Sequence, residues 1–296
     1  MNDSTHLSRR WWGAALFLLI CLLLQGGLVL FFSEPTAAFL YAADARLHAD
    51  RVEVDDAGVL EYYDMREAVT SADVIVVGCD GGVMGTSELV LDLLTFIKRS
   101  ANVRRIVLDL PEYEIDLLNA YLDGEDLLPE DVLAGLPGVT SETLALVTGI
   151  CAMNNLFPPA RRMTLAAAEA DWAQIETPVL YLADRSLGAD MVRHIEQQVA
   201  GVCDVLTVAL RYSGTAARAA DGEIVSLNEV WLPFAGGPGS VWLVDTSQLG
   251  GTAAFYRFVV TRTRGGRLAG LADELNSGGG RFNLIVVGQT AASPLN

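Results

Sequence analysis

Residues 73–123 read DVIVVGCDGGVMGTSELVLDLLTFIKRSANVRRIVLDLPEYEIDLLNAYLD, and this stretch decides the fold. Val74 to Val77 is an unbroken β-branched run, the pattern of a strand buried on both faces. Gly78, Gly81, Gly82 and Gly85 then supply a turn. Thr86 to about Ser100 has helical periodicity, and Arg105 to Leu110 reads as a second strand. That strand ends on an acidic corner, Asp109-Leu110-Pro111-Glu112. The order is strand, loop, helix, strand. In open α/β sheets ligands sit outside the carboxyl ends of the strands, so the glycine loop and this corner mark the place to look.

Working outward, the rhythm persists. Pro129 suits a first helical position, with Glu130 and Asp131 at the positive end. Pro137-Gly138 breaks the chain, and Thr140 caps a helix running to about Asn154. Ala160 to Gln174 is alanine-rich and reads as helix. Residues 129–174 therefore read as an all-helical insert between strands, a kind of insert that often covers a ligand face. Strands follow at Pro178–Ala183, Val202–Leu210, Ser240–Val244 and Asn283–Val287. Glu223 to Phe234 reads as an edge strand or hairpin arm. Helices read at 187–201 and 251–260, with a weak one at 265–277. On the amino-terminal side a helical patch spans 37–48, a short strand spans 51–59 and a helix spans 60–70. Such alternation predicts one α/β domain with a largely parallel sheet flanked by helices.

The first thirty-two residues have a different character. Residues 1–10 are polar and hold Arg9 and Arg10; residues 11–32 carry no charge over twenty-two positions. At about 1.5 Å per residue this run spans a bilayer core, with Trp11 and Trp12 suited to the headgroup level. Basic residues precede it and Glu34, Asp44 and Asp50 follow it. The positive-inside rule then places residues 1–10 in the cytoplasm and the rest outside, as a single-pass cell-membrane protein. A cleaved signal peptide ending near Ala43-Asp44-Ala45 is the rival, but the apolar run is longer than the usual signal core. The domain plan is a cytoplasmic 1–10, an anchor 11–32, a membrane-proximal 33–70 and an α/β domain 71–296.

Net charge is −17, with the 37 acidic residues spread along the chain. That balance repels phosphate backbones and excludes nucleic acid as a partner. A small molecule or an envelope protein remains open. Cys79, Cys151 and Cys203 are spaced 72 and 52 residues apart, which excludes a CxxC metal or redox motif. One disulfide and a thiol, or three thiols, are the alternatives.

If the sheet is parallel, its strand ends gather Asp80, Glu88, Asp109, Glu112 and Arg185 on one edge, with Arg211 and Tyr212 beside them. Plainer roles exist for each: Asp80 as a turn residue, Glu88 as an exposed helical residue, Asp109 as a helix N-cap and Arg185 in a structural ion pair. Asp80, Arg185, Arg211 and Tyr212 are the ligand-binding candidates; Asp109, Glu112 and Glu88 are the catalytic ones. The loop lacks both the GxxxxGK[ST] and GxGxxG spacings, so no nucleotide cofactor is expected. His6, His48 and His194 all lie away from strand ends, which leaves a histidine triad or histidine metal site without members. No metal or other cofactor is expected.

Three segments resemble the erythromycin-esterase-like group, related to the ChaN-like and Tiki-like fold: GVMGTSE (82–88), IVLDLPEYEIDLLNAYLDG (106–124) and DRSLGADMVRHI (184–195). RFNLIVVGQTAASPL (281–295) is similar to that group's closing strand and tail. The resemblance covers about 71–296. Those proteins carry a G-E-x-x-H-G-T-x-E loop and a strand ending in glutamate. By that pattern the loop glutamate falls on Gly81, its histidine on Met84, the strand-end glutamate on Asp109 and the last loop glutamate on Glu88. The later histidine is replaced by Arg211 or Tyr212, and Arg185 and Met191 are two residues too far apart for the R-D-x-x-M-A helix start. Methionine accepts no proton near neutral pH, so the resemblance implies a member without the hydrolytic set, acting in ligand or protein binding. The alternative is a divergent hydrolase using Asp109, Glu112 and Glu88, with or without a metal.

Overall fold

A computed structural model of the chain describes residues 19–21, 23–27, 32–54, 60–79, 86–124, 135–168, 176–184, 204–212, 216–218, 224–226, 241–245, 251–252, 254–256, 258–259 and 284–288. The elements in chain order begin with α1 (Glu34–Leu47), β1 (Ala49–Arg51), β2 (Glu53–Val54) and β3 (Leu60–Glu61). A 3-10 turn (Tyr63–Met65), α2 (Arg66–Ser71), β4 (Val74–Cys79), α3 (Thr86–Ala101), β5 (Arg105–Leu108) and α4 (Glu112–Leu122) follow. Then come α5 (Ser141–Asn154), β6 (Thr164–Ala167), β7 (Val179–Asp184) and β8 (Val205–Tyr212). The last are β9 (Ala216–Arg218), β10 (Ile224–Ser226), β11 (Val241–Asp245) and β12 (Leu284–Gly288).

Eight strands form one sheet in the order β1-β11-β12-β8-β4-β7-β5-β6. The six from β12 to β6 run parallel, and β11 joins antiparallel between β12 and β1. The expected α/β architecture with a largely parallel sheet is present. β4 explains why its sequence is apolar without alternation. Ile75 and Val77 face one core with α2 to α5, whereas Val74 and Val76 face a second core with Val107, Val179, Tyr181 and Ala183. A strand buried on both faces has no polar position to offer.

Helix α3 covers the first face with Leu89, Val90, Leu93, Leu94 and Ile97, all buried and spaced as one helical stripe. Each such side chain contributes roughly 1.5–3 kcal/mol of burial free energy. Helix α5 crosses α3 at Gly149, where a Cβ would lie 2.3 Å from Leu91 Cδ1, so the absence of a side chain permits this approach. Thr140 caps α5 as expected, its Oγ1 accepting the Thr143 N–H at 3.1 Å.

Three expectations are corrected. Residues 160–174 are not helix throughout: Pro159–Arg161 is a 3-10 turn and Thr164–Ala167 is β6, the sheet's edge strand, while 169–175 lie outside the described residues. The span 129–174 is therefore not an all-helical insert. Residues 60–70 open with β3, paired to β2, before the 3-10 turn and α2. Strand β8 continues through Arg211 and Tyr212, so these two pair with Val287 and Gly288 instead of forming a turn.

The reason for β6 is physical. On its inner side Thr164 N–H donates to Arg104 O at 2.9 Å and Ala168 N–H donates to Leu108 O at 3.0 Å. On its outer side two asparagine amides take the place of a neighbouring strand. Asn154 accepts the Met163 N–H and donates to Met163 O, both at 2.8 Å. Asn119 accepts the Leu165 N–H at 2.8 Å and donates to Leu165 O at 3.0 Å. Buried backbone groups need partners, and these amides supply them while closing the edge to foreign strands. Asn119→Ala and Asn154→Ala each strand a buried N–H and a buried C=O. Each is expected to lower unfolding free energy by about 1–3 kcal/mol in urea denaturation. An unchanged midpoint would show that the amides are dispensable.

Candidate functional site

The strand ends gather on one edge. Cys79 at the end of β4 is in register with Asp184 at the end of β7, and Leu108 of β5 with Leu182 of β7. Cys79 is a thiol whose Sγ–H donates to Ala183 O at 3.5 Å. Cys151 is also a thiol, and both pack at the margin of the main core. Cys203 lies outside the described residues.

Asp109 follows the end of β5 and is exposed. It does not cap α4: Pro111 holds that position and no side chain accepts there. Asp109 acts instead on Tyr181, whose ring is buried in the second core. Burial, and then the Asp109 charge, push that phenol up to about 12, so it stays protonated at neutral pH. Glu112 opens α4 and is exposed. Glu88 lies in the first turn of α3, also exposed, one turn before Asp92. Burial and then Glu88 hold the Asp92 carboxyl above the ordinary carboxylate range. Among the described residues no hydrogen bond or ion pair joins Glu88, Asp109 and Glu112, and no three His, Cys, Asp or Glu side chains are placed to hold a metal ion. Asp80 and Arg185 lie outside the described residues, as do the side chains of Arg211 and Tyr212.

A pocket lies elsewhere, beside edge strand β1. It encloses about 340 Å³ between β1, β2, β3 and the 3-10 turn. Asp50, Glu53, Glu61 and Asp64 line it together with Arg51, Tyr62 and Tyr63. Glu61 is anchored there by Arg66 Nη2 at 3.0 Å and Arg99 Nη1 at 4.0 Å. The sequence gives little warning of this pocket. Residues 50–54 and 61–64 meet only because β2 pairs with β3 and β1 closes the sheet through β11.

Two buried ionisable groups were also hidden in apolar periodicity. Glu114 of α4 is 1% exposed. Its Oε1 accepts the Tyr113 hydroxyl at 2.9 Å and the Gly138 N–H at 3.2 Å. Its Oε2 is buried, has no hydrogen-bond partner among the described residues and would lie 2.7 Å from a Cβ at position 138. The carboxylate thus fastens the turn 135–139 to α4, and a side chain at position 138 would have to displace it. Lys98, in the last turn of α3, is 2% exposed. Its Nζ donates to Val103 O at 2.6 Å and Arg161 O at 2.7 Å, and stands 5.4 Å from the Phe157 ring centroid. Burial, then the charges of Arg161 and Arg104, lower this amine to about 8.

No protein-family model matches the chain, and neither does any curated protein. Among solved structures, the crystal structure of a Bacillus cereus protein shares the fold, with a TM-score of 0.56. The two are 9% identical, and the match covers 88% of this chain and 99% of that one. At that identity the likeness is one of fold alone.

The lowered Lys98 value sets a pH dependence. Between about 8 and 10 the unfolded chain binds a proton that the folded chain does not, so stability rises with pH. From pH 10 toward 12 the sign reverses, because the unfolded chain releases the Tyr181 phenolic proton first. Thermal melts across pH 7–12 are expected to show this maximum, and Lys98→Met is expected to remove the rising limb. Glu114→Ala, which frees the Gly138 N–H, is expected to cost about 1–3 kcal/mol, read from the shift in denaturation midpoint.

Proposed function

We propose that the chain is a membrane-anchored, extracytoplasmic binding domain, erythromycin-esterase-like in descent and without that group's hydrolytic set. The single observation that carries the binding reading is the pocket at β1–β3. It is a concavity of about 340 Å³ lined by Asp50, Glu53, Asp64 and the arginine-paired Glu61, with Arg51 beside them. Its charge suits a cationic group on a small molecule or an envelope protein. The anchor reading is supported by the helical conformation of residues 19–21 and 23–27, where Leu19, Ile20, Leu23 and Leu24 are exposed apolar side chains. Among the described residues no helix is long and apolar enough to cross a membrane; residues 1–18, 22 and 28–31 of the apolar run and its flank lie outside them. The absence of the hydrolytic set rests on Gly81 and Met84 at the aligned loop positions, where neither side chain activates water.

One observation favours the alternative, a divergent hydrolase: Asp109 is an exposed carboxylate directly after the end of β5, at the edge where parallel sheets place their ligands. A screen separates the two. The full chain in detergent micelles is assayed for ester hydrolysis with and without added divalent metals, and for equilibrium binding of an oligolysine peptide. The binding reading expects no hydrolysis above that of Asp109→Ala, and peptide binding weakened at least several-fold in the Glu53→Gln/Asp64→Asn double variant. Hydrolysis lost in Asp109→Ala would establish the hydrolase instead.

A further inference from the structure

Helix α1 has two apolar faces, and the fold uses only one. Ala37, Tyr41 and Ala45 are buried, and the Tyr41 ring stacks on Tyr256 at 5.5 Å. The opposite side carries Pro35, Phe39, Ala43 and Leu47, all exposed and each four residues from the next. This spacing places them in one stripe along a helix about 21 Å long. Phe39 is 71% exposed and Leu47 is 80% exposed. The remaining fully exposed position of α1 is Arg46, so none of the helix's exposed residues is acidic in a chain of net charge −17. The partner helical segment repeats the pattern: its exposed described residues are Gly251, Ala254 and Phe258.

The position of this face says what covers it. The uncharged run 11–32 ends one residue before Ser33, the N-cap of α1. Its last residue, Phe32, packs its ring against Phe255 at 6.0 Å and Phe258 at 6.4 Å. The point where the span would leave the bilayer is therefore held against the same helix pair that bears the exposed stripe. Single exposed apolar side chains are ordinary on protein surfaces, but an ordered stripe free of carboxylates beside a span is not.

Resting on the anchored reading above, we infer that α1 and the segment 251–259 form a lipid-contacting face: the stripe Pro35–Phe39–Ala43–Leu47, with Phe258, lies in the headgroup–acyl boundary and seats the domain on the bilayer surface. An interfacial helix buries an apolar face to shallow depth, and aromatic side chains favour that depth. The stripe itself carries no carboxylate, so its contact with the bilayer brings no acidic side chain of its own against anionic lipids.

The test uses the full chain in vesicles of equal parts phosphatidylcholine and phosphatidylglycerol. Phe39→p-benzoylphenylalanine, Leu47→p-benzoylphenylalanine and, as control, Glu67→p-benzoylphenylalanine on exposed α2 are irradiated, and adducts are identified by peptide mass. Lipid adducts at positions 39 and 47, several-fold above position 67, are expected. Adducts to a second copy of the chain, or lipid adducts no greater than at 67, overturn the inference. Alkaline carbonate extraction of the same vesicles is run in parallel. Release of the chain overturns the anchored reading, whereas retention without adducts at 39 and 47 overturns the lipid-facing α1 alone.

Discussion

The structure depends on the fixing of α3 against the parallel sheet. Its apolar stripe supplies the area, but an apolar stripe alone leaves a helix free to slide or rotate. Polar contacts at both ends remove that freedom. At the amino end the Ser87 N–H donates to Glu142 Oε2 at 3.1 Å, which ties α3 to the start of α5 and places a carboxylate at the helix's positive pole. At the carboxyl end Lys98 reaches two backbone carbonyls, one in the connection to β5 and one in the turn before β6. A buried ammonium is costly, and here its hydrogen bonds to the buried Val103 O and to Arg161 O offset part of that cost.

From that constraint the rest of the first face follows. With α3 set, α5 approaches through Gly149, and α5 and α4 together present Asn154 and Asn119 to β6. The edge strand is thus specified by helices, and the helices by the contacts at the ends of α3. The second face is built differently. It is a smaller apolar layer around Tyr181, whose phenol answers to the exposed Asp109 beyond it. The two layers meet across β4, β5 and β7, so the strand-end edge inherits residues from both faces. Cys79, on that edge, packs against the first core, whereas Asp109 is exposed there.

The pocket and the outward face of α1 both lie where the sheet is finished by β1. Antiparallel β11 allows the amino-terminal segment to pair into the sheet, and this draws residues 33–65 onto the domain. Residues 33–65 are consequently part of the fold and not a tether. Asp44 of α1 accepts the Thr252 hydroxyl, and Tyr41 stacks on Tyr256. Such contacts couple the orientation of the domain to the chain that leads out of the apolar run.

Much of this was legible from residues alone. The apolar run of β4, the stripe of α3, the capped start of α5 and the strand at 284–288 are local patterns, and local patterns determine which segments become strands or helices and that the sheet is mainly parallel. The place of Asp109, directly after β5, followed from that order, as did the places of Glu88 and Glu112 in the first turns of α3 and α4. The tertiary structure alone decided the rest. Thr164–Ala167 has helix-forming alanines, yet it is a strand because it pairs with β5 on one side, while Asn119, 46 positions from Leu165, and Asn154, 9 positions from Met163, hold the other. Glu114 and Lys98 are buried charges that bind backbone groups outside their own helices, Gly138 N–H for one and Val103 O and Arg161 O for the other. The pocket joins residues 50–54 and 61–64 through strand pairing that no local periodicity encodes. Propensity is a property of neighbours in sequence, whereas the satisfaction of buried polar groups is a property of neighbours in space.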